Sequence, residues 1–132
     1  MAETKKPTIF IVEDDPFILR VYERKLTNEG FDIVLATNGA EAFERIKDTV
    51  PNLILLDLVM PMKDGFELIA ELKNDEKLKT IPIVVLTNLR QKKDIERVQS
   101  LGVSDYLIKS DNSIQGVVAK IKEVLANSKS QS

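Results

Sequence analysis

Five short apolar runs alternate with five stretches of helical periodicity along this chain, and that alternation constrains the fold more than any other feature. The runs are Thr8–Val12, Phe31–Ala36, Leu53–Leu56, Ile83–Leu86 and Asp105–Ile108. They are rich in Ile, Val and Leu with little period-two alternation, as expected of strands covered on both faces. Five strand–helix repeats predict an α/β fold: a doubly wound parallel sheet with right-handed crossovers and helices on both faces. In such open sheets, ligands bind beyond the carboxyl ends of the strands. Four of the five runs end there on residues suited to phosphate or metal. Val12 leads into Glu13, Asp14 and Asp15; Leu56 into Asp57; Leu86 into Thr87; and Ile108 into Lys109.

The intervening segments carry helix signals at both ends. Asp15 and Pro16 read as N-cap and first helical residue, Ile18, Tyr22 and Leu26 share a face, and Gly30 stops the helix. Asn38 and Glu41 have capping-box spacing, with Ala42, Phe43, Ile46 and Val50 turned inward and Pro51 ending the helix. A third helix is expected from about Gly65 to Asn74, burying Leu68, Ile69 and Leu72. A fourth, about Gln91 to Leu101, presents Ile95, Val98 and Leu101 before Gly102. The last has the clearest stripe: Ile114, Val117, Val118, Ile121, Val124 and Leu125.

A length of 132 residues suits one domain. Its expected limits are 7–126, between a polar lead at 1–6 and a polar, frayed tail at 127–132. Absence of Cys excludes disulfides and thiolate chemistry, and absence of His removes any phosphohistidine step within the chain. A phosphoryl donor must then be another molecule. The net charge of −2 gives no reason to expect nucleic acid as a direct partner. Arg90, Lys92, Lys93 and Arg97 form a local basic stretch interrupted by Asp94 and Glu96, which reads as a solvated helix face. No apolar stretch approaches the ~18 residues of a membrane span, and the N-terminus lacks an apolar secretory core, so a cytoplasmic location away from membranes is expected. Neither a dinucleotide nor an NTP-binding glycine motif is present.

Asp57 directly follows four apolar residues, so its carboxylate emerges at the sheet edge. It reads either as a turn-capping Asp or as a carboxylate nucleophile that forms an acyl phosphate. Glu13 and Asp14 beside it would raise the pKa values of neighbouring acids unless a cation neutralised them; a hard divalent ion, Mg²⁺, fits such oxygen donors. Asp15 serves better as helix cap than as ligand. Thr87 alone could be an ordinary β-branched strand residue, and Lys109 a snorkelling surface lysine. Together at adjacent strand ends they are suited to phosphoryl oxygens, because phosphoryl transfer needs positioning and charge neutralisation.

Five motifs in order make the chain resemble a receiver domain of the two-component response-regulator family, nearly end to end. They are Ile-Val-Glu-Asp-Asp-Pro at 11–16, Leu-Leu-Asp-Leu-Val-Met-Pro at 55–61, Asp-Gly at 64–65, Val-Leu-Thr at 85–87 and Tyr-Leu-Ile-Lys at 106–109. The resemblance, to CheY-like single-domain receivers, implies a flavodoxin-like sheet in the order 2-1-3-4-5. It implies Asp57 as phosphoacceptor, with Mg²⁺ held directly by Asp14, Asp57 and the backbone carbonyl of Val59, and by Glu13 through water. Thr87 and Lys109 would stabilise the phosphoryl group. Thr87 would move towards it, Tyr106 would turn inward behind, and the surface of the fourth helix, fifth strand and fifth helix would switch. Taken as a core aromatic with a wet hydroxyl, Tyr106 has a simpler explanation.

The resemblance further implies a histidine kinase or phosphotransfer protein as donor and a downstream protein target. A stand-alone regulator, signalling by protein binding or phosphorelay, is the expected form. The only catalysis implied is of its own phosphorylation and dephosphorylation. Two departures bear on the chemistry. Lys109 precedes Ser110 where the family usually has a cis proline, so a trans peptide or a strained cis one is expected. Val59 and Asn88 flank the acceptor and are expected to tune access of hydrolytic water. The rival readings are a phosphate-independent docking module and a Mg²⁺-dependent phosphohydrolase. The second lacks both a second Asp two residues after the nucleophile and a His.

Overall fold

A computed structural model describes residues 6–60 and 63–130, with side chains through 128. Residues 1–5 of the expected lead, Pro61 of the second motif and the last two residues of the expected tail lie outside it. The elements are β1 (Thr8–Val12), α1 (Pro16–Asn28), β2 (Asp32–Ala36), α2 (Gly39–Asp48), β3 (Leu53–Leu56), α3 (Gly65–Lys73), β4 (Ile83–Thr87), α4 (Lys92–Ser100), β5 (Asp105–Ile108) and α5 (Ile114–Ser130). A short 3-10 turn, Lys109–Asp111, joins the last two. All strands are parallel, in the order β2-β1-β3-β4-β5.

The apolar runs lack alternation because both of their faces are covered. Phe10, Val12, Ile54, Leu56, Ile83 and Val85 pack on one side with Ile46 of α2, Leu68, Ile69 and Leu72 of α3, and Val98 of α4. Ile9, Ile11, Leu53, Leu55, Val84 and Leu86 pack on the other with Leu19, Tyr22 and Leu26 of α1 and Val117, Val118 and Ile121 of α5. Burying each such Leu or Ile contributes roughly 1.5–3 kcal/mol, so the sheet is held from both sides.

Side-chain caps fix where α1, α2 and α3 begin. Asp15 Oδ1 accepts from the Phe17 N–H at 2.9 Å, and Asn38 Oδ1 accepts from the Glu41 N–H at 2.8 Å. Glu41 accepts in return from the Thr37 N–H, one residue before the cap. Asp64 caps α3 through the Glu67 N–H at 3.0 Å. Gly30 (φ 96°) and Gly102 (φ 87°) end α1 and α4 in the left-handed region that a side chain disfavours.

Several expectations need correction. Val50 is 55% exposed instead of turned inward, because α2 ends at Asp48 and the stripe cannot extend past its C-cap Thr49. On α1 the buried residues are Leu19, Tyr22 and Leu26, with Ile18 only half-buried on the flank. Ile114 is 38% exposed, at the open first turn of α5. Phe31 closes the α1 terminus, donating its N–H to the Leu26 carbonyl, and β2 starts one residue later. The last helix continues to Ser130, through residues expected to fray.

Candidate functional site

Strands β1 and β3 lie side by side with Val12 opposite Leu56, so Glu13 and Asp57 leave neighbouring strand ends. The Asp57 N–H donates to the Val12 carbonyl at 3.0 Å, which carries the ladder one step into the site. Ligand oxygens of Glu13, Asp14 and Asp57 all lie within 4.8 Å of one another. Glu13 (4% exposed) and Asp57 (6%) are buried, while Asp14 faces solvent.

Thr87 stands opposite Ile108 across β4 and β5, so Lys109 starts one residue beyond that pair. Its side chain reaches back over β3. Lys109 Nζ lies 2.9 Å from Asp57 Oδ2 and 2.6 Å from Glu13 Oε1. The second oxygen of Glu13 accepts from the Asp15 N–H at 3.1 Å, and Asp57 Oδ1 accepts from the Val59 N–H at 3.3 Å. The trans alternative at Lys109–Ser110 is the one found, since no cis peptide occurs among the described residues.

Burial pushes the Glu13 carboxyl above its ordinary value, and the nearby Asp57 charge adds to the effect; the Lys109 ammonium opposes both. Burial alone would lower the Lys109 value, but its bonds to Asp57 and Glu13 outweigh it and hold the ammonium charged above the usual lysine range. Three carboxylates against one ammonium leave two negative charges in a partly buried pocket. Hard oxygen donors with a residual charge of two fit a divalent cation such as Mg²⁺.

Thr87 is fully buried, and its Oγ1 accepts from the Leu89 N–H at 3.4 Å. Tyr106 packs its ring against the core and donates its hydroxyl to the Leu89 carbonyl at 2.8 Å. Thr87 and Tyr106 therefore meet at Leu89 and belong to one hydrogen-bonded loop. Val59, 56% exposed, and Asn88, also exposed, stand at the rim.

One residue at this end of the sheet has a place that its reading as part of a solvated basic helix face does not suggest. Arg90 precedes α4 and donates to Ser110 Oγ at 2.6 Å and Asp111 Oδ1 at 2.9 Å. It is thus not part of the basic helix face that Lys92, Lys93 and Arg97 present. A contact between residues twenty apart leaves no periodic trace, so no local signal could have pointed to it.

The arrangement is that of a receiver of two-component signalling. The model of the response regulator receiver domain matches residues 9–122, and the chain belongs to that family. It is 35% identical over 121 residues to the "Probable transcriptional regulator ycf27" of Porphyridium aerugineum, an alignment covering 92% of this chain and 49% of the relative. The polar-differentiation response regulator DivK of Brucella anthropi is 29% identical, with 91% and 97% of the two chains covered. Among solved structures, the phosphorylated cyanobacterial phytochrome response regulator RcpA superposes with a TM-score of 0.80 at 33% identity, covering 97% of each chain. The chain spans about half the length of the first of these relatives and nearly all of the other two. Receiver domains are signalling modules that take phosphoryl groups from histidine kinases and bind Mg²⁺ at an acidic pocket. No described helix is long and apolar enough to cross a membrane.

Proposed function

We propose that this chain is a phosphorylation switch whose acceptor is Asp57. The observation that carries the reading is the Lys109 ammonium bridging Asp57 and Glu13 beside the exposed carboxylate of Asp14. One Asp57 oxygen attacks the phosphorus of a donor. A bond from carboxylate oxygen to phosphorus forms as the bond to the leaving group breaks, and the leaving group departs with the electron pair. Lys109 meets the charge that develops on the phosphoryl oxygens, and Thr87 donates its hydroxyl to the product. Asp14, Asp57 and the Val59 carbonyl would hold Mg²⁺ directly and Glu13 through water. The ion would supply further charge neutralisation.

Output runs from Thr87 through Leu89 to Tyr106, hence to α4, β5 and α5. A protein donor, histidine kinase or phosphotransfer protein, suits the apolar groove beside Lys109. That groove, of about 220 Å³, is lined by Phe17, Ile18, Val21 and Ile114. The likeness to DivK supports a self-sufficient 7–126 unit that binds a protein target or relays its phosphoryl group. The likeness to the transcriptional regulator supports the same unit within a longer chain.

The test is intact mass after incubation with Mg²⁺ and a small acyl-phosphate donor. One phosphoryl adduct is expected, lost with EDTA present from the start and absent in Asp57→Asn. No adduct, together with no binding of a beryllofluoride phosphate mimic, would turn the reading to a phosphate-independent docking module. Steady turnover of a small phosphate ester would turn it to a phosphohydrolase. Apolar Val59 and bulky Asn88 at the rim restrict water, so the adduct should outlast that of the Val59→Asn, Asn88→Ala double variant. Equal lifetimes would count against this role.

A further inference from the structure

The backbone turn that launches Lys109 is lightly built. The 3-10 segment Lys109–Asp111 has no side-chain cap at Ile108, and Asn112 Nδ2 closes it by donating to the Ile108 carbonyl at 2.9 Å. Ser110 stands where a proline ring would restrict the backbone, and it imposes no such restriction. What it adds is a hydroxyl acceptor. Arg90 Nη2 carries two hydrogens and has two acceptors, Ser110 Oγ at 2.6 Å and Asp111 Oδ1 at 2.9 Å. The root of Arg90 is itself fixed, since the Leu89 N–H bonds Thr87 and the Leu89 carbonyl accepts the Tyr106 hydroxyl.

We propose that Arg90 is a positioning residue for phosphoryl transfer: by gripping Ser110 and Asp111 it fixes the Lys109 turn to the β4–α4 loop and keeps Nζ over Asp57. The inference rests on the reading of Asp57 as acceptor. The pair is solvent-exposed, at 56% for Arg90 and 55% for Asp111, so it adds little to global stability. Its effect is on geometry, where a displacement of about 1 Å in a charge-stabilising group is enough to slow a reaction. A positioning role and a structural role are therefore separable.

The experiment follows phosphorylation by acetyl phosphate at saturating Mg²⁺ for the native chain, Arg90→Ala, Arg90→Lys, Asp111→Asn and the Arg90→Ala, Asp111→Asn double variant. Melting temperature and Mg²⁺ affinity are measured on the same samples. Arg90→Ala should lower the rate constant roughly threefold to tenfold while leaving both other quantities unchanged. Arg90→Lys should recover part of the rate, and the double variant should be no slower than Arg90→Ala alone, as for residues acting as one unit. A native rate in Arg90→Ala, or a loss of rate tracked by melting temperature and Mg²⁺ affinity, overturns the proposal. Failure of the native chain to form an adduct, together with no binding of a beryllofluoride phosphate mimic, overturns the Asp57 reading and this inference with it. An adduct that forms equally in native and Arg90→Ala overturns only this inference.

Discussion

The two halves of the site are built differently. On the β1–β3 side, Glu13 and Asp57 are the first residues beyond paired strands, and Asp15 turns at once into the cap of α1. Covalent neighbours and the ladder place the acids. On the β4–β5 side, placement depends on bonds between distant residues: Tyr106 to Leu89, Arg90 to Ser110 and Asp111, and Lys109 across to Asp57. Beyond that side lies α4, whose single fully buried residue is Val98, whereas α3 buries Leu68, Ile69 and Leu72. The acid half is placed by covalent neighbours and the strand ladder, and the basic half by side-chain ties between distant residues. Bistable surfaces are drawn from the less firmly packed parts of a fold, and the output surface proposed above falls in the second half.

The largest break in this division should come from Lys109→Ala. It leaves Glu13 and Asp57 buried beside each other with no countercharge, and a cost of roughly 2–4 kcal/mol is expected without metal. Mg²⁺ should shrink that cost, because the ion would neutralise the same acids. Urea midpoints with and without Mg²⁺ measure both, and an equal loss in the two conditions would show that the acids do not share their cations.

Next in size is Gly39→Ala, which attacks the scaffold of the acid half. The Gly39 N–H donates to the Lys63 carbonyl at 3.1 Å, and an added Cβ would lie 2.2 Å from that oxygen. Backbone cannot yield as a flexible side chain would, so the variant should lose about 1–3 kcal/mol. The same melts should show its Mg²⁺ affinity falling as well, since the β3–α3 connection must shift. A stable variant with weakened Mg²⁺ binding would sharpen the division further.

Titration gives a smaller but more specific test. The folded Glu13 carboxyl holds its proton more tightly than the unfolded one, chiefly through burial. Its ionisation therefore removes stability as pH rises from the unfolded value of 4.5 through the raised folded value. Melting temperature of the native chain relative to Glu13→Gln should fall across that window without metal. Identical slopes for the two would mean that Lys109 fully compensates Glu13. Lys109 has the same sign in a higher window and for a different reason: its stabilising ion pairs are intact below pH 10.5 and are lost as pH rises through its raised folded value.

The same contrast explains what was legible in the sequence. Strands β1, β3 and β5 and the caps at Asp15 and Asn38 follow from local signals, and so does the acid cluster, since each acid is adjacent to a strand end. Family likeness was needed to single out Tyr106, because a partly buried aromatic on an edge strand has no special local mark. Arg90 read only as part of a solvated basic stretch, because its partners Ser110 and Asp111 lie beyond β5. The error at Val50 arose from carrying a helical period past the point where the C-cap ends it. Pattern arguments succeed where neighbours in sequence are neighbours in space.

Tyr106→Phe probes the weakest tie and should have the smallest effect. It deletes the bond from the hydroxyl to the Leu89 carbonyl while keeping the ring against the core. Burial holds the Tyr106 hydroxyl above its usual pKa, with the charges of Asp94 and Asp57 adding to the shift, so it is a proton donor at neutral pH. Loss of one such bond costs about 0.5–1.5 kcal/mol, less where water reaches the freed carbonyl. If the basic half is a set of exchangeable ties, the phosphorylation rate of Asp57 should fall less than in Arg90→Ala, because the Leu89 bond to Thr87 still holds the root of Arg90. The change should appear chiefly in the β4–α4 loop, as faster amide exchange at Leu89 and Arg90. Slowed phosphorylation with unchanged exchange would mean that Tyr106 acts on the acceptor itself, and the two halves would have to be treated as one.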